Sequence, residues 1–359
     1  MKMNRTLRLA TLLAIASLTK ATSGEAANPA LISSEFLFDP NPVPSCHATT
    51  LVETRNGALV AAWFAGTQEG KEDVGIWSAR QIGGKWTAPV EIATGVLEDG
   101  HRYPCWNPVL FQPRDGGLLL FYKIGPRPDS WWGMLRTSND NGATWSAPTR
   151  LPDGILGPIK NKPVQLADGT ILCGSSAEGL KSPAWQIHFE RSSDNGRNWE
   201  RIGVPQAQTS PPAIQPSLLF TGGPGLIAIA RTTVGKLFST RSMDNGLTWS
   251  ALDSLELPNP NSGIDAVTLK DGHHLLIYNH TAAGRSPLNL AESDDGRTWT
   301  AALVLEDEPK MEFSYPAIIQ TSDGLVHATY TWKRKLVKHV VIDPAKLELK
   351  PIVGSVWPK

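Results

Sequence analysis

The sequence predicts an all-β fold, a six-bladed β-propeller of four-stranded antiparallel blades. Three observations carry that expectation. First, one phrase recurs: Ser138-Asn-Asp140-Asn-Gly142-Ala-Thr144-Trp145, Ser192-Ser-Asp194-Asn-Gly196-Arg-Asn198-Trp199 and Ser242-Met-Asp244-Asn-Gly246-Leu-Thr248-Trp249. A worn copy follows as Asp294-Asp-Gly296-Arg-Thr298-Trp299, with Glu292 in the place of the serine. The period is about 50 residues, the size of a unit that buries its apolar face by stacking on copies of itself. Second, an apolar run, a tight turn and a second apolar run recur six times in step with that phrase. Third, 32 Gly and 28 Pro suit a chain with many turns.

The six units can be taken in order. Their first strands open at His47, Asn107, Lys162, Gln215, Asp265 and Tyr315. The turns that follow are Arg55-Asn-Gly57, Arg114-Asp-Gly116, Ala167-Asp-Gly169, Gly222-Gly-Pro-Gly225, Lys270-Asp-Gly272 and Ser322-Asp-Gly324. Asn-Gly and Asp-Gly between apolar runs signal hairpins, because the favoured two-residue turns need positive φ. A third strand follows each hairpin, then the Asp/Trp turn. Trp86 is its remnant in the first unit, and the last unit has none. The expected remedy is strand exchange, with the segment Glu35-Phe-Leu-Phe38 closing the ring. The repeated turns read as scaffold: Asp bonds the N–H groups of its own turn, Gly takes positive φ, and Trp packs between strands.

Lys plus Arg and Asp plus Glu both number 34, which gives no broad attraction to nucleic acid or an anionic membrane. Lys2, Arg5 and Arg8 precede an apolar run from Leu9 to Leu18 and then small residues. This layout is that of a secretory signal, too short to span a bilayer. The expectation is a signal peptide over residues 1–26, one domain over 27–359, and export to the periplasm or the cell exterior. Cys46, Cys105 and Cys173 read as small buried residues, with a Cys46–Cys105 bridge left open. No spacing suits a metal, and neither metal nor cofactor is expected.

The innermost strands of a propeller surround its channel. His47, Asn107, Lys162, Gln215, Asp265 and Tyr315 stand at equivalent places in six blades, yet all differ and all are polar or aromatic. Scaffold positions repeat and site positions differ, so these residues mark a candidate pocket; the plainer reading makes them strand ends that meet water.

The Asp/Trp turns resemble the Asp boxes of sialidases and their relatives, and the chain resembles this family of BNR-repeat six-bladed propellers over most of its length. The resemblance implies an aspartate acid/base in the loop Gly66-Thr-Gln-Glu69-Gly-Lys-Glu72-Asp73, where Asp73 matches best and Glu72 next. It implies a nucleophilic tyrosine opening the last blade at Tyr315, and two arginines of a carboxylate-binding triad at Arg231 and Arg285. Two positions depart from the pattern. His47 stands where the family has the arginine of an Arg-Ile-Pro phrase, and Gln215 where it has the glutamate that supports the tyrosine.

The chemistry of these residues is consistent with that picture. Arg231 and Arg285 form a fork suited to a carboxylate. Lys160 and Lys162 add positive charge, so a chain of zero net charge would carry a cationic pocket for an acidic sugar. Trp106, Trp131, Trp132 and Trp332 either stack on sugar faces or pack. Asp73 is a candidate general acid. Tyr315 can attack an anomeric carbon bearing a carboxylate, where an anionic nucleophile would be repelled, with Glu312 or Asp265 as its base. The expected function is a secreted exo-glycoside hydrolase of sialidase type, acting on a terminal acidic sugar of an oligosaccharide or polysaccharide. Two alternatives stand beside it: a polysaccharide lyase using His47 or Tyr315 on a uronate glycan, and a non-catalytic glycan-binding propeller.

Overall fold

In the computed structural model, residues 28–179, 185–205 and 210–358 are described, and the expected leader over 1–26 lies outside the described residues. Six antiparallel sheets succeed one another along the chain. Their first strands are Ser45–Glu53, Cys105–Phe111, Val164–Gln165, Ala213–Phe220, Asp265–Thr268 and Phe313–Gln320; those of blades six, one and two pack together, as do those of blades four, five and six. The second strands read as mostly apolar or small runs. In Leu59–Gly66, Leu118–Ile124 and Leu226–Thr232 every residue is buried, because each such strand is covered on both faces by a neighbouring blade.

Ring closure is by strand exchange. Leu31–Phe36 pairs antiparallel with Leu336–Ile342 and completes the last blade, with Glu35 opposite His339. The strand begins four residues before the expected segment, and Leu37 and Phe38 leave it to bury between blades one and six. At the other end of the chain, Lys350–Pro351 adds a fifth strand to blade five, against Thr300–Glu306.

The repeated turns act as staples. Asp140 accepts from the N–H of Thr144 at 2.8 Å and from its hydroxyl at 2.5 Å, while Ser138 Oγ accepts from Gly142 N at 2.8 Å. The copies at Asp194 and Asp244 repeat this pattern. These bonds, those from Thr144 first, hold the Asp140 carboxyl down at about 2. Trp249 stacks on Phe189 of the preceding blade, ring centroids 3.7 Å apart.

The fourth copy is displaced by one residue from the sequence expectation. Ser293 and Asp295, not Glu292 and Asp294, make the bonds: Gly296 N donates to Ser293 Oγ at 2.9 Å and Thr298 N to Asp295 at 2.7 Å. The turn is one residue shorter, which frees Glu292 to face His273 at 3.2 Å. The bridge left open between Cys46 and Cys105 is absent, since all three cysteines are free and buried.

Candidate active site

The site is built on a device that recurs in the inner strands. In blades one, two, four and six the pairing to the second strand slips by a residue, between His47 and Thr50, Trp106 and Val109, Ile214 and Ser217, and Ser314 and Ala317. The bulged residues Ala48, Asn107, Gln215 and Tyr315 have φ of 54°, 36°, 56° and 51°. Positive φ is uncommon and strained for such residues, and bulges re-aim side chains. In blades two, four and six the next residue is proline, which has no N–H to pair with the neighbouring strand. Register therefore separates one residue of blade one from the expected set of equivalents. His47 lies one position before the bulge, and blade one places Ala48 where the others place Asn107, Gln215 and Tyr315.

Tyr315 is the centre of the cluster. It is 9% exposed, and its ring lies flat on the backbone of Gly263, where an added Cβ would stand 3.1 Å from the ring. The guanidinium carbons of Arg231 and Arg285 lie 5.2 and 5.5 Å from its centroid, and Lys160 Nζ lies 5.8 Å away. These cations come from blades four, five and three, and the ring brings them to one tyrosine of blade six. Lys160 is buried, with Nζ bonded to Asn161 Oδ1 at 2.9 Å, to Ile264 O at 2.7 Å and to Pro316 O, beside Tyr315. Burial pushes its pKa down to about 7 against the pull of Asp265.

Arg334, absent from the sequence-based set, joins them. It sits with Lys333 in a tight turn between Val326–Trp332 and Leu336–Ile342, with φ of 53° at Lys333 and 59° at Arg334. Its Nε donates to Glu312 Oε1 at 2.6 Å, the oxygen that also takes Arg285 at 2.7 Å, and its Nη1 reaches Glu69 at 2.5 Å. Burial raises the Glu312 pKa, but Arg285 and Arg334 outweigh it and leave the carboxyl below its ordinary range. The glutamate offered as a base for Tyr315 is thus a bridge between two arginines. A Lys-Arg turn reads as solvated charge in a sequence, which is why Arg334 escaped notice.

Several expected roles do not fit the bonding. Asp265 is 1% exposed and accepts from Lys162 at 2.9 Å, Ser217 at 2.8 Å and the N–H groups of Ala266 and Ile318 at 2.9 Å each. Lys162 and Asp265 neutralise each other and tie blades three to six together across the channel, so neither is offered to a substrate. His47 is 2% exposed, bonded through Nδ1 to Thr331 at 3.0 Å and packed against Tyr315 and Phe64. Burial, followed by Arg334, Arg285, Arg231 and Lys160, holds its pKa well below the usual histidine value. It stands behind the tyrosine and does not face a substrate.

Asp73 is exposed, and both its oxygens are engaged within its own loop, by Thr67 N at 2.8 Å and Thr67 Oγ1 at 2.9 Å. Glu72 is exposed on the same loop. Gly70 lets this loop lie on the Trp106 ring, which is 3.4 Å from where a Cβ would stand. Glu69 is the loop residue that bonds a site cation. Trp106 and Trp131 are buried against each other at 5.9 Å, Trp132 packs on Tyr103 and Arg150, and Trp332 on Phe36. The tryptophan that Arg231 lies over is instead Trp185, at 5.6 Å from its ring.

Asn107 and Gln215 are buried at their bulges, and Gln215 Nε2 donates to Glu178 at 2.9 Å. Glu178 was also missed, although it ends an otherwise small and apolar second strand, as a charged residue that such a strand would otherwise exclude. Burial raises its pKa, while Arg231 and the Gln215 bond oppose the shift. Beside it, Gln215 Oε1 and Arg231 Nε are buried without a hydrogen-bond partner among the described residues, as is Oδ1 of Asn261, whose carbonyl takes Arg231 Nη1. Unpaired buried polar atoms are costly, and their convergence at one mouth is what a polar ligand would relieve.

Similarity to known proteins agrees with this architecture. Residues 57–328 match the BNR repeat-like domain family. A sialidase of Bacteroides fragilis is 24% identical over 244 residues, covering 60% of this chain and 41% of that protein, so this chain spans less than half of that relative's length. The NanB sialidase from Streptococcus pneumoniae superposes with a TM-score of 0.70 at 12% identity, covering 88% of this chain and 71% of that one. The intramolecular trans-sialidase from Ruminococcus gnavus gives 0.71 at 15% identity, covering 90% and 100%. A protein of unknown function from Dyadobacter fermentans gives 0.71 at 20% identity, covering 89% and 99%. At these identities the superpositions show a shared fold. Six four-stranded blades, Asp-box staples and a family match over most of its length identify this chain as a member of the BNR repeat-like domain family, a sialidase-like six-bladed propeller.

Proposed function

We propose that this chain is an exo-acting glycoside hydrolase of the sialidase type, exported to the periplasm or cell exterior, that removes a terminal acidic sugar of the sialic or uronic acid class. The observation that carries the reading is Tyr315 beneath Arg231, Arg285 and Lys160, each within 6 Å of its ring. Guanidinium groups bind a carboxylate bidentately, and orphaned Arg231 Nε leaves part of that fork open. A sugar anchored by its carboxylate presents its anomeric carbon to a phenol without the repulsion a carboxylate nucleophile would meet. In the first step Tyr315 Oη, its proton passing to water, bonds to the anomeric carbon as the bond to the leaving oxygen breaks. In the second, water displaces tyrosine and releases the sugar with retention.

The lyase alternative needs His47 or Tyr315 to take a ring proton; His47 is enclosed, which leaves Tyr315 for that role. The test is release of free sugar from sialosides, aryl uronides and uronate polymers by wild type and Tyr315→Phe. The reading expects release by wild type alone, with binding retained in the variant. An ultraviolet-absorbing unsaturated uronate product would replace it with the lyase, and binding without turnover with a lectin-like role.

A further inference from the structure

The carboxyl groups near the channel mouth differ in what already holds them. Asp73 has both oxygens on Thr67, at 2.8 and 2.9 Å. Glu69 is paired with Arg334 at 2.5 Å, and Glu312 with Arg285 at 2.7 Å and Arg334 at 2.6 Å. Asp265 is paired with Lys162 at 2.9 Å. Against the effect of burial, Arg285 and Arg334 hold the Glu312 carboxyl below its ordinary range.

Glu178 is held differently. It ends the strand Ile171–Glu178, and its Oε1 accepts from the neutral amide of Gln215 at 2.9 Å and from Ser176 Oγ at 3.4 Å. Among the described residues no cation bonds to it, and Oε2 has no partner. Gln215 is itself pinned to blade three, its N–H on Ser176 Oγ at 3.2 Å and its carbonyl on Asn161 Nδ2 at 2.9 Å. A strained residue bonded on both sides of its backbone has its side chain pre-positioned. The unpaired atoms Gln215 Oε1 and Arg231 Nε mark the space beside this carboxyl as the one a polar ligand would fill.

We infer that Glu178 is the acid that protonates the departing glycosidic oxygen, with Gln215 as the positioning residue that orients it. The inference rests on the hydrolase reading above. As the glycosidic C–O bond breaks, its electron pair stays on the leaving oxygen, which takes the proton from Glu178. The resulting carboxylate then takes a proton from the water that attacks the glycosyl-tyrosine, restoring the acid. Burial raises the Glu178 pKa, which favours the protonated form this role needs. An amide at position 215 suits the arrangement, since a second carboxylate there would set two like charges side by side.

The test compares wild type, Glu178→Gln and Asp73→Asn on two glycosides of the same acidic sugar, one with an activated aryl leaving group and one with a sugar leaving group. Glu178→Gln is expected to lose roughly 10²–10⁴-fold in kcat on the sugar-linked substrate and far less on the aryl one, with KM little changed. The basic limb of its kcat–pH profile should vanish, while Asp73→Asn keeps the wild-type dependence on leaving group. Carbon NMR of glutamate side chains in wild type should show a signal, missing in Glu178→Gln, that titrates above the ordinary glutamate range. In Gln215→Leu it should titrate higher still. Equal losses on both substrates, or an ordinary titration of Glu178, would overturn the assignment while leaving the hydrolase reading intact. A wild type inert on every glycoside would overturn both, and the NMR result would still separate a protonated Glu178 from an ionised one.

Discussion

The imidazole of His47 lies against the phenol of Tyr315, ring centroids 4.1 Å apart and planes inclined at 48°. The contact is one of packing. His47 is enclosed, hydrogen-bonded to Thr331 and kept neutral first by burial and then by the surrounding cations. His47→Phe should therefore preserve the ring contact, cost about 1 kcal/mol for the lost hydrogen bond, and leave kcat/KM within roughly tenfold of wild type. Denaturant unfolding and turnover of an acidic glycoside check this. Complete loss of turnover in a folded variant would give His47 a proton-transfer role.

The arginines should be unequal. Arg231 is 6% exposed, its hydrogen bond among the described residues is the 3.2 Å contact to Asn261 O, and Nε is unpaired, whereas Arg334 is spent on Glu69 and Glu312. Truncating one partner of a desolvated charge pair costs about 2–5 kcal/mol, or roughly 30-fold upward in affinity. Arg231→Ala should show such a loss for the acidic sugar, and Arg334→Ala a smaller one. Calorimetry in a Tyr315→Phe background measures both, and the reverse order would move the anion site toward Glu312.

Stability should fall on the acid side of neutrality. His327 Nδ1 and His339 Nε2 lie 3.0 Å apart, and His339 Nδ1 lies 3.1 Å from Glu35 on the exchanged strand. Burial, then His339, pushes His327 down to about 4, with Asp323 opposing. Burial likewise lowers His339 against the pull of Glu35. Folded values below the unfolded value mean stability present above about 6.5 and lost as pH falls toward 4. The His327 share is on the order of 2 kcal/mol. Guanidinium unfolding from pH 8 to 5 should show the decline, and His327→Gln should flatten it.

Removing residues 28–36 deletes the strand that closes blade six and exposes the edge of Leu336–Ile342. Unpaired edges template association. The truncated chain should melt several degrees lower and elute as aggregates in size-exclusion chromatography. An unchanged monomer peak and melting point would show that closure does not depend on this strand.

The three thiols should be silent in the native protein. Burial pushes Cys46 up to about 12 and raises Cys105 and Cys173 further. A thiol reagent should label none at neutral pH and all three in denaturant, and reductant should not move the melting point. Fewer labelled thiols in denaturant would mean a bridge.

Much of the fold was legible because its determinants are local. Asp140, Asp194 and Asp244 bond within a few residues of themselves, so the staples and the blade register follow from spacing. Register drew attention to Asn107, Gln215 and Tyr315, and the family resemblance to Arg231. It failed by one residue where a turn shortened at Asp295 and where a bulge fell on Ala48. A residue gained or lost within a turn is invisible to a period of about 50.

By itself the sequence determined six blades, a closing strand from the N-terminal side and a polar channel mouth. Those follow from hydrophobic alternation, turn chemistry and the repeat. Only the tertiary structure decided which polar groups are spent on one another. Lys162 meets Asp265 across 103 positions of sequence, and Arg334 meets Glu69 across 265. Pairings of that range are set by ring closure, which brings distant loops to one point, and neither partner carries a local mark of the other. Tyr315, with Arg231, Arg285 and Lys160 over its ring, and Glu178, free of any bonded cation among the described residues, are distinguished by the same closure.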